Sequence, residues 1–385
     1  MTPRTTLLTG ATGFLGSSLA VELLRAGREQ IYCLVRPQGD VTVRLHAAVL
    51  AAAEAAGVPD IAPQLHRIVP LAGDISRPDL GLAPDDRERL LAEPPDECWH
   101  SAASLRYEDR HKNEILGTNV DGARHVIETV EALGIPEFNH ISTAYVAGVR
   151  VGRVPEGPYD PAYAPNNWYE ASKRQGEDLV EAHAERFDRV RIMRPSIVVG
   201  NLSTYRSTSD SGYYGFLRGV ERFCRLVQRR DPGYLAEHRV KLLLEPESSL
   251  NLVPIDVLVR EAVELADDPE QTGRYFHLTN PFPLIIGRMP IGPESAIEGL
   301  RLDLVEDREQ LGELDLLLDD ALDFYRPYLR NDKDFVRARD ASDPPEAMRI
   351  TDDDLVGLSV THFEQRDEAR AKARAKAAAF ARATA

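Results

Sequence analysis

Two residues four apart carry the sharpest chemical signal in this sequence. Tyr169 and Lys173, in Tyr169-Glu170-Ala171-Ser172-Lys173, open a segment with helical periodicity. A spacing of four sets a phenol and an ammonium about one turn apart on one helix face. A phenol with its ordinary pKa of about 10 exchanges protons poorly at neutral pH, and an adjacent ammonium stabilises its phenolate. The pair therefore suits proton transfer. Upstream, Ile141-Ser142-Thr143-Ala144-Tyr145-Val146 ends an apolar run with two hydroxyls. Thr143 is the first choice as donor to a substrate oxygen and Ser142 is its rival; the bland alternative is a β-branched residue that only belongs to its strand. Asn119, in Gly117-Thr118-Asn119-Val120-Asp121-Gly122, interrupts a helical pattern with a side chain suited to bonding backbone or a relay water.

A second set of residues suits phosphate. Thr9-Gly10-Ala11-Thr12-Gly13-Phe14-Leu15-Gly16 follows an apolar run and opens a helical pattern. Its glycines permit a tight turn and close backbone approach, and the amides and dipole of a helix N-terminus favour a pyrophosphate. Gly10, Thr12, Gly13, Phe14, Leu15 and Gly16 are thus the candidate dinucleotide cradle. The next apolar run, Ile31-Tyr32-Cys33-Leu34-Val35-Arg36, ends in a guanidinium. An acid there would bond a ribose 2′-hydroxyl, whereas Arg36, with Arg44 as a second donor, favours a 2′-phosphate and hence NADP(H). Two solvated arginines are the alternative. In Gly73-Asp74-Ile75, Asp74 could accept from an adenine amino group, with Ile75 on the ring, or cap the next turn. Ala102 and Ala103, in His100-Ser101-Ala102-Ala103, are small enough for backbone to pass close to a cofactor. His100 reads as a strand-end histidine with local hydrogen bonds, and no metal site is expected.

The elements that must position these groups follow a βαβ rhythm. Candidate strands 5–9, 31–35, 67–71, 97–102, 138–142 and 191–198 alternate with helical patterns 14–26, 41–55, 113–133 and 167–186. That rhythm predicts an α/β fold with a doubly wound parallel sheet of six strands. Past Gly200 it breaks into a polar loop, 201–211, and an amphipathic stretch, 212–229. We expect a dinucleotide-binding domain over 1–200 with returning segments in 240–280, a discontinuous substrate region over 201–345, and a helical tail over 346–385 whose helix starts near Glu364.

Composition limits the function classes. The 385 residues hold 62 acidic and 46 basic side chains, a formal net charge of −16, which disfavours general attraction to nucleic acid or anionic lipid. No stretch reaches the roughly 18 apolar residues of a membrane span, and the N-terminus lacks the pattern of a signal peptide. Cys33, Cys98 and Cys224 stand far apart and read as reduced and mostly buried. The cytoplasm is the expected compartment.

The glycine loop, Gly73-Asp74-Ile75, His100-Ser101-Ala102-Ala103, Asn119, Ser142-Thr143, Tyr169 with Lys173, and Arg194-Pro195-Ser196 appear in the order of the extended short-chain dehydrogenase/reductase family, which residues 5–280 resemble. Within that family, Cys33-Leu34-Val35-Arg36 with Arg44-Leu45, the run from His100 to Ser104, Arg194-Pro195-Ser196-Ile197-Val198 and Asn251-Leu252-Val253-Pro254-Ile255-Asp256 look most like thioester reductase domains, carboxylic acid reductase terminal domains and fatty acyl reductases. The resemblance implies a Rossmann-type fold and hydride transfer from NADPH to an acyl thioester carried on a phosphopantetheine carrier protein or coenzyme A. The product would be an aldehyde, or an alcohol after a second hydride. Tyr169 would donate the proton with help from Thr143, Lys173 would hold the ribose, Pro195 would border the cofactor and Ser104 would face the substrate. The fold also hosts nucleotide-sugar epimerases and dehydratases, alcohol dehydrogenases and non-catalytic NADP-binding regulators. Against these, Ala144 and Tyr145 follow Thr143 where a dehydratase usually carries an acidic pair, and Arg36 stands where NAD-retaining epimerases prefer an acid. The intact Tyr169/Lys173 pair argues for turnover.

One charge pattern remains. Arg218, Arg222, Arg225 and Arg229 recur at four, three and four, while Leu217, Val220, Cys224 and Val227 fall on another face. Two readings stand: a solvated basic face, or a docking strip for an acidic carrier protein or the phosphates of coenzyme A.

Overall fold

A computed structural model describes residues 4–329, 332–337 and 346–383. The expected domain boundary at 345 and the last residues of the tail, 384–385, lie outside the described residues. In chain order the first elements are β1 (Thr5–Thr9), α1 (Phe14–Arg25), β2 (Gln30–Val35), α2 (Val41–Ala55), β3 (Ile68–Ala72), α3 (Pro84–Ala92), β4 (Glu97–His100), α4 (Lys112–Leu116), α5 (Gly122–Ala132), β5 (Glu137–Ile141), β6 (Gly152–Val154), α6 (Trp168–His183), β7 (Arg189–Pro195) and β8 (Ile197–Val199). There follow α7 (Tyr213–Arg230), α8 (Tyr234–Glu237), β9 (Val240–Leu243), β10 (Ser249–Leu250), β11 (Leu252–Pro254), α9 (Ile255–Asp267), β12 (Tyr275–Leu278), β13 (Leu284–Ile285), α10 (Ile291–Ala296), β14 (Leu302–Val305), α11 (Glu313–Ala321), β15 (Lys333–Phe335) and α12 (Asp352–Ala383).

The chain forms two compact units. The first comprises residues 1–198, 251–283 and 331–349, and the second comprises 199–250, 284–330 and 350–385. The first unit is built on one sheet in the order β12-β7-β5-β4-β1-β2-β3. Every pairing in it is parallel. This is a doubly wound Rossmann-type sheet, with one correction to the expected count: β12 docks outside β7 as a seventh strand, because Tyr275–Leu278 returns to pair with Ile192–Pro195. The strands read as near-continuous apolar runs because helices cover both faces. One face buries Leu8, Leu19, Leu23, Ile31, Val49, Trp99 and Leu258; the other buries Leu7, Leu71, Val126, Val130, Phe138 and Ile192.

Two further differences from expectation have local causes. The helix expected over 113–133 is interrupted by a π-turn at Gly117–Asp121. The tail helix starts at Asp352, well before Glu364. There Thr351 Oγ1 accepts from Asp354 N (3.2 Å) while the Asp354 carboxylate accepts from Thr351 N (2.8 Å), a reciprocal cap that fixes the start. In the second unit, β9 pairs with β14 and β10 with β13. Among the described residues, no helix is long and apolar enough to cross a membrane.

Candidate active site

Strand order reverses between β1 and β4, and the carboxyl ends of those strands are where ligands of doubly wound sheets bind. At that edge the chain turns at Gly10, with φ +81°. A Cβ on Gly10 would lie 2.7 Å from the Ala102 nitrogen, and one on Gly16 would overlap the Gly10 carbonyl. Both positions demand glycine for close backbone approach. Thr9 Oγ1 knits the two strand ends together: it bonds His100 Nδ1 at 2.8 Å and accepts from Ala102 N at 3.3 Å. Gly13 then starts α1 with no side-chain cap and no acid in the first turn. Uncapped amides beside glycines fit a dinucleotide diphosphate, so Gly10, Thr12, Gly13, Phe14, Leu15 and Gly16 are placed where such a group would be held.

Around this cradle the other cofactor candidates fall as follows. Arg36 is exposed at the end of β2. Arg44 donates to the carbonyls of Arg36 and Gln38, both at 2.8 Å, and so braces the loop that carries Arg36. The Asp74 carboxylate accepts from Ser76 N at 2.9 Å, the turn-capping alternative, and Ile75 packs against Gly122. Ala102 and Ala103 follow β4 with half-buried side chains.

The proton-transfer candidates meet at the ends of β5 and β7. Asn167 caps α6 by accepting from Glu170 N at 3.0 Å, which places Tyr169 in the first turn. From there Tyr169, Lys173 and Glu177 recur at four on one face. Lys173 Nζ donates to Ile141 O at 2.7 Å. Ser142 Oγ donates to Glu177 Oε1 at 2.6 Å. Thr143 lies within hydrogen-bond reach of the Tyr169 phenol, accepts from Tyr145 N at 3.3 Å and points its hydroxyl at Pro195 O, 3.5 Å away. Of the two rival hydroxyls, that of Ser142 is bonded to Glu177 and that of Thr143 lies beside the phenol.

Asn119 bonds backbone rather than standing open. Its Oδ1 accepts from Ser104 N at 2.7 Å, and its Nδ2 donates to Ser104 O at 3.0 Å and Ser172 Oγ at 2.9 Å. Ser172 in turn donates to Tyr169 O at 2.7 Å. The π-turn therefore ties the loop after β4 to the first turn of α6, and Ser104 is a tethering point of that loop.

Burial sets the electrostatics. The Lys173 ammonium is pushed down to about 8 by burial, with the Glu177 carboxylate pulling the other way. The Tyr169 phenol is pushed up to about 12, chiefly by burial and further by Glu170, against the Thr143 hydrogen bond. Loss of solvent is the largest effect on the phenol. At neutral pH the phenol therefore carries its proton. Beneath Lys173 lie two buried imidazoles, His100 and His140, 5.3 Å apart; burial lowers both, His100 to about 3, so both are neutral.

Two further residues stand here: Glu177, for which the sequence carries no expectation, and Arg194, which it marks only within Arg194-Pro195-Ser196. Arg194 clasps Glu177 through Nε at 2.9 Å and Nη2 at 2.6 Å, and both are buried. The available signal was an acid two turns after Tyr169 on the same face. The arginine candidates lie on α7 in the second unit, where Leu217, Val220, Cys224 and Val227 are buried beneath them. Arg218 bonds Asp210 O at 3.2 Å and Arg225 pairs with Glu221, while Arg222 and Arg229 are exposed.

The profile of the male sterility protein family, an NAD-binding domain, matches residues 8–262. Fatty acyl-CoA reductase 2 of Mus musculus is 25% identical over 288 residues, covering 66% of this chain and 52% of that protein. A linear gramicidin synthase of Brevibacillus parabrevis is 26% identical over 284 residues, covering 71% of this chain and 5% of that protein. The chain therefore spans from a small part to about half of these relatives. Among solved structures, the terminal R domain of the myxalamid PKS-NRPS pathway superposes with a TM-score of 0.73 at 24% identity, covering 95% of this chain and 91% of that one.

Proposed function

Because the chain belongs to the male sterility protein family of NAD-binding domains, we propose that it is an NADPH-dependent reductase of acyl thioesters carried on a phosphopantetheine carrier protein or on coenzyme A. The observation that carries this reading is the convergence of Thr143 on the Tyr169 phenol and of Lys173 on Ile141 O, at the carboxyl end of β5 and so on the same edge of the parallel sheet as the glycine turn after β1. The relatives named above, a fatty acyl-CoA reductase and a linear gramicidin synthase, support the substrate class.

Gly10 to Gly16 would hold the cofactor's diphosphate, Arg36 its 2′-phosphate and Lys173 its ribose, and the bound cofactor supplies a hydride to the thioester carbonyl carbon. Thr143 positions the carbonyl oxygen, and Tyr169 gives it a proton as charge develops there. The buried ammonium of Lys173 then stabilises the phenolate left behind. Hydride and proton together convert the carbonyl to a hemithioacetal, which breaks its C–S bond to release thiol and aldehyde. Arg36 at the end of β2, with Arg44 bracing its loop, is the reason for naming NADPH rather than NADH. We place the protein in the cytoplasm, in keeping with the buried free thiols Cys33, Cys98 and Cys224. The test is a product assay with NADPH and a panel of acyl-coenzyme A and carrier-bound thioesters set against nucleotide sugars. Aldehyde from the thioesters alone supports the reading, and turnover of nucleotide sugars alone overturns it.

A further inference from the structure

We propose that Glu177 is a positioning residue of this site: clamped by Arg194, it holds Ser142 and thereby fixes the strand end that presents Thr143 to Tyr169. The proposal rests on the reading of function above for its catalytic half and on geometry for the rest.

Three consecutive residues beyond β5 and at its end are each gripped by one face of α6. Ile141 gives its carbonyl to Lys173, Ser142 its hydroxyl to Glu177, and Thr143 sits against the Tyr169 phenol. Of the three grips, the one on Ser142 has the most rigid anchor. Glu177 Oε1 takes both Ser142 Oγ and Arg194 Nε, and its Oε2 takes Arg194 Nη2, a two-pronged pairing that fixes the carboxylate plane. Arg194 is itself immobilised. Its Nη1 donates to Gly157 O at 2.7 Å and its guanidinium lies 4.6 Å over the Tyr275 ring of β12. Ser142 N also donates to Met193 O at 2.7 Å, so the residue is held by both main chain and side chain.

A buried ion pair is poor evidence for stability, because desolvating both charges offsets most of their attraction. What this one supplies is geometry. The segment after β5 leaves the ladder at Ile141, so Ser142 and Thr143 lack the full set of strand bonds that would otherwise fix them. The carboxylate substitutes for that ladder at the residue next to Thr143, where a displacement would carry Thr143 away from the phenol. Charge adds a second effect: Glu177 faces Lys173 on the same helix, with neutral His100 and His140 on the strands beneath and Arg194 on β7, so it is the anion that favours the ammonium.

The experiment uses the full chain with Ser142→Ala, Glu177→Gln and the double variant. Ser142→Ala removes one oxygen and leaves the Glu177–Arg194 pair intact. Amide hydrogen exchange over residues 142–148 should rise about tenfold in Ser142→Ala while the other strands of the sheet stay protected. With NADPH and an acyl thioester, kcat should fall about 10- to 100-fold, with KM and NADPH affinity within about twofold of wild type. The double variant should be no slower than Glu177→Gln, since both act through one bond. If Glu177→Gln does not fold, exchange and kinetics of Ser142→Ala decide alone. Unchanged exchange overturns the clamp, whatever the substrate. Raised exchange with unchanged kcat overturns the positioning role. A wild-type protein that reduces no thioester overturns the reading of function instead, and exchange still judges the clamp.

Discussion

The Lys173 ammonium donates to the Ile141 carbonyl at 2.7 Å, so α6 grips the end of β5. Burial, opposed by the Glu177 carboxylate, makes its charge sensitive to pH near neutrality. The Lys173 ammonium is lowered from the ordinary lysine value to about 8, whereas the Tyr169 phenol stays protonated to about 12. Below about pH 8 both groups carry their protons, and above it Lys173 loses its own. We expect kcat/KM for thioester reduction to be level at acidic to neutral pH and to fall through a midpoint near 8. Initial rates across that range check it; a rate that rises with pH contradicts the assignment.

Tyr169→Phe deletes the proposed proton donor and keeps the ring. Turnover should drop by about 10²- to 10⁴-fold, the usual contribution of a positioned acid. NADPH affinity, followed by fluorescence titration, should change little. Near-full activity in this variant would remove Tyr169 from the mechanism.

Arg36→Ala tests cofactor choice. Loss of a charge-assisted bond to the 2′-phosphate costs about 1.5–3 kcal/mol, or roughly 10- to 150-fold in NADPH affinity, with NADH affinity unchanged. Arg44→Ala should act more weakly and on both cofactors, because Arg44 braces the loop through the carbonyls of Arg36 and Gln38. Equal losses for both cofactors in Arg36→Ala would refute the pocket.

Much of this was legible in the sequence, and the exceptions share a cause. Six strands and the glycine loop could be read because buried parallel strands are continuous apolar runs and because Gly10 and Gly16 allow no other side chain. The seventh strand, Tyr275–Leu278, falls within the returning segments expected over 240–280, but its place beside β7 is a long-range pairing with no local mark. Thr143 could be preferred to Ser142 from the sequence, but the bond that occupies Ser142 could not be read there, because Glu177 lies 35 residues from it in the chain. The tail helix begins earlier than expected because its Thr351/Asp354 cap precedes the Ala-rich stretch that carries the stronger helical signal.

Asn119→Ala should destabilise the first unit and loosen the loop after β4. Truncation removes bonds to Ser104 N, Ser104 O and Ser172 Oγ. Leaving such buried groups unpaired costs about 1–3 kcal/mol, so Tm should fall by several degrees in a thermal melt. A variant with wild-type Tm would show that water replaces the amide without penalty.

The arginines of α7 can now be ranked. Arg225 already shares Glu221 with Arg366, and Arg218 is turned to Asp210. Among the described residues, Arg222 and Arg229 have no ion pair, so Arg222→Glu with Arg229→Glu should raise KM for a carrier-bound thioester about tenfold through lost steering. A short uncharged thioester should be indifferent. If both substrates respond alike, the strip is only a solvated face.

The π-turn at Gly117–Asp121 makes this part of the chain sensitive to length rather than to composition. A π-turn is a helix carrying one residue too many. Deleting a single residue there would restore an ordinary α-helical run from α4 into α5, with every main-chain bond intact. The cost would fall inside the turn: the flanking runs would keep nearly their present phase, because the π-turn already absorbs the extra residue, but the residues of the turn would shift and the amide of Asn119 would leave both Ser104 and Ser172. Substitutions along the exposed side of this segment are therefore tolerable where a one-residue deletion is not, and inheritance of the site depends on the helix keeping count.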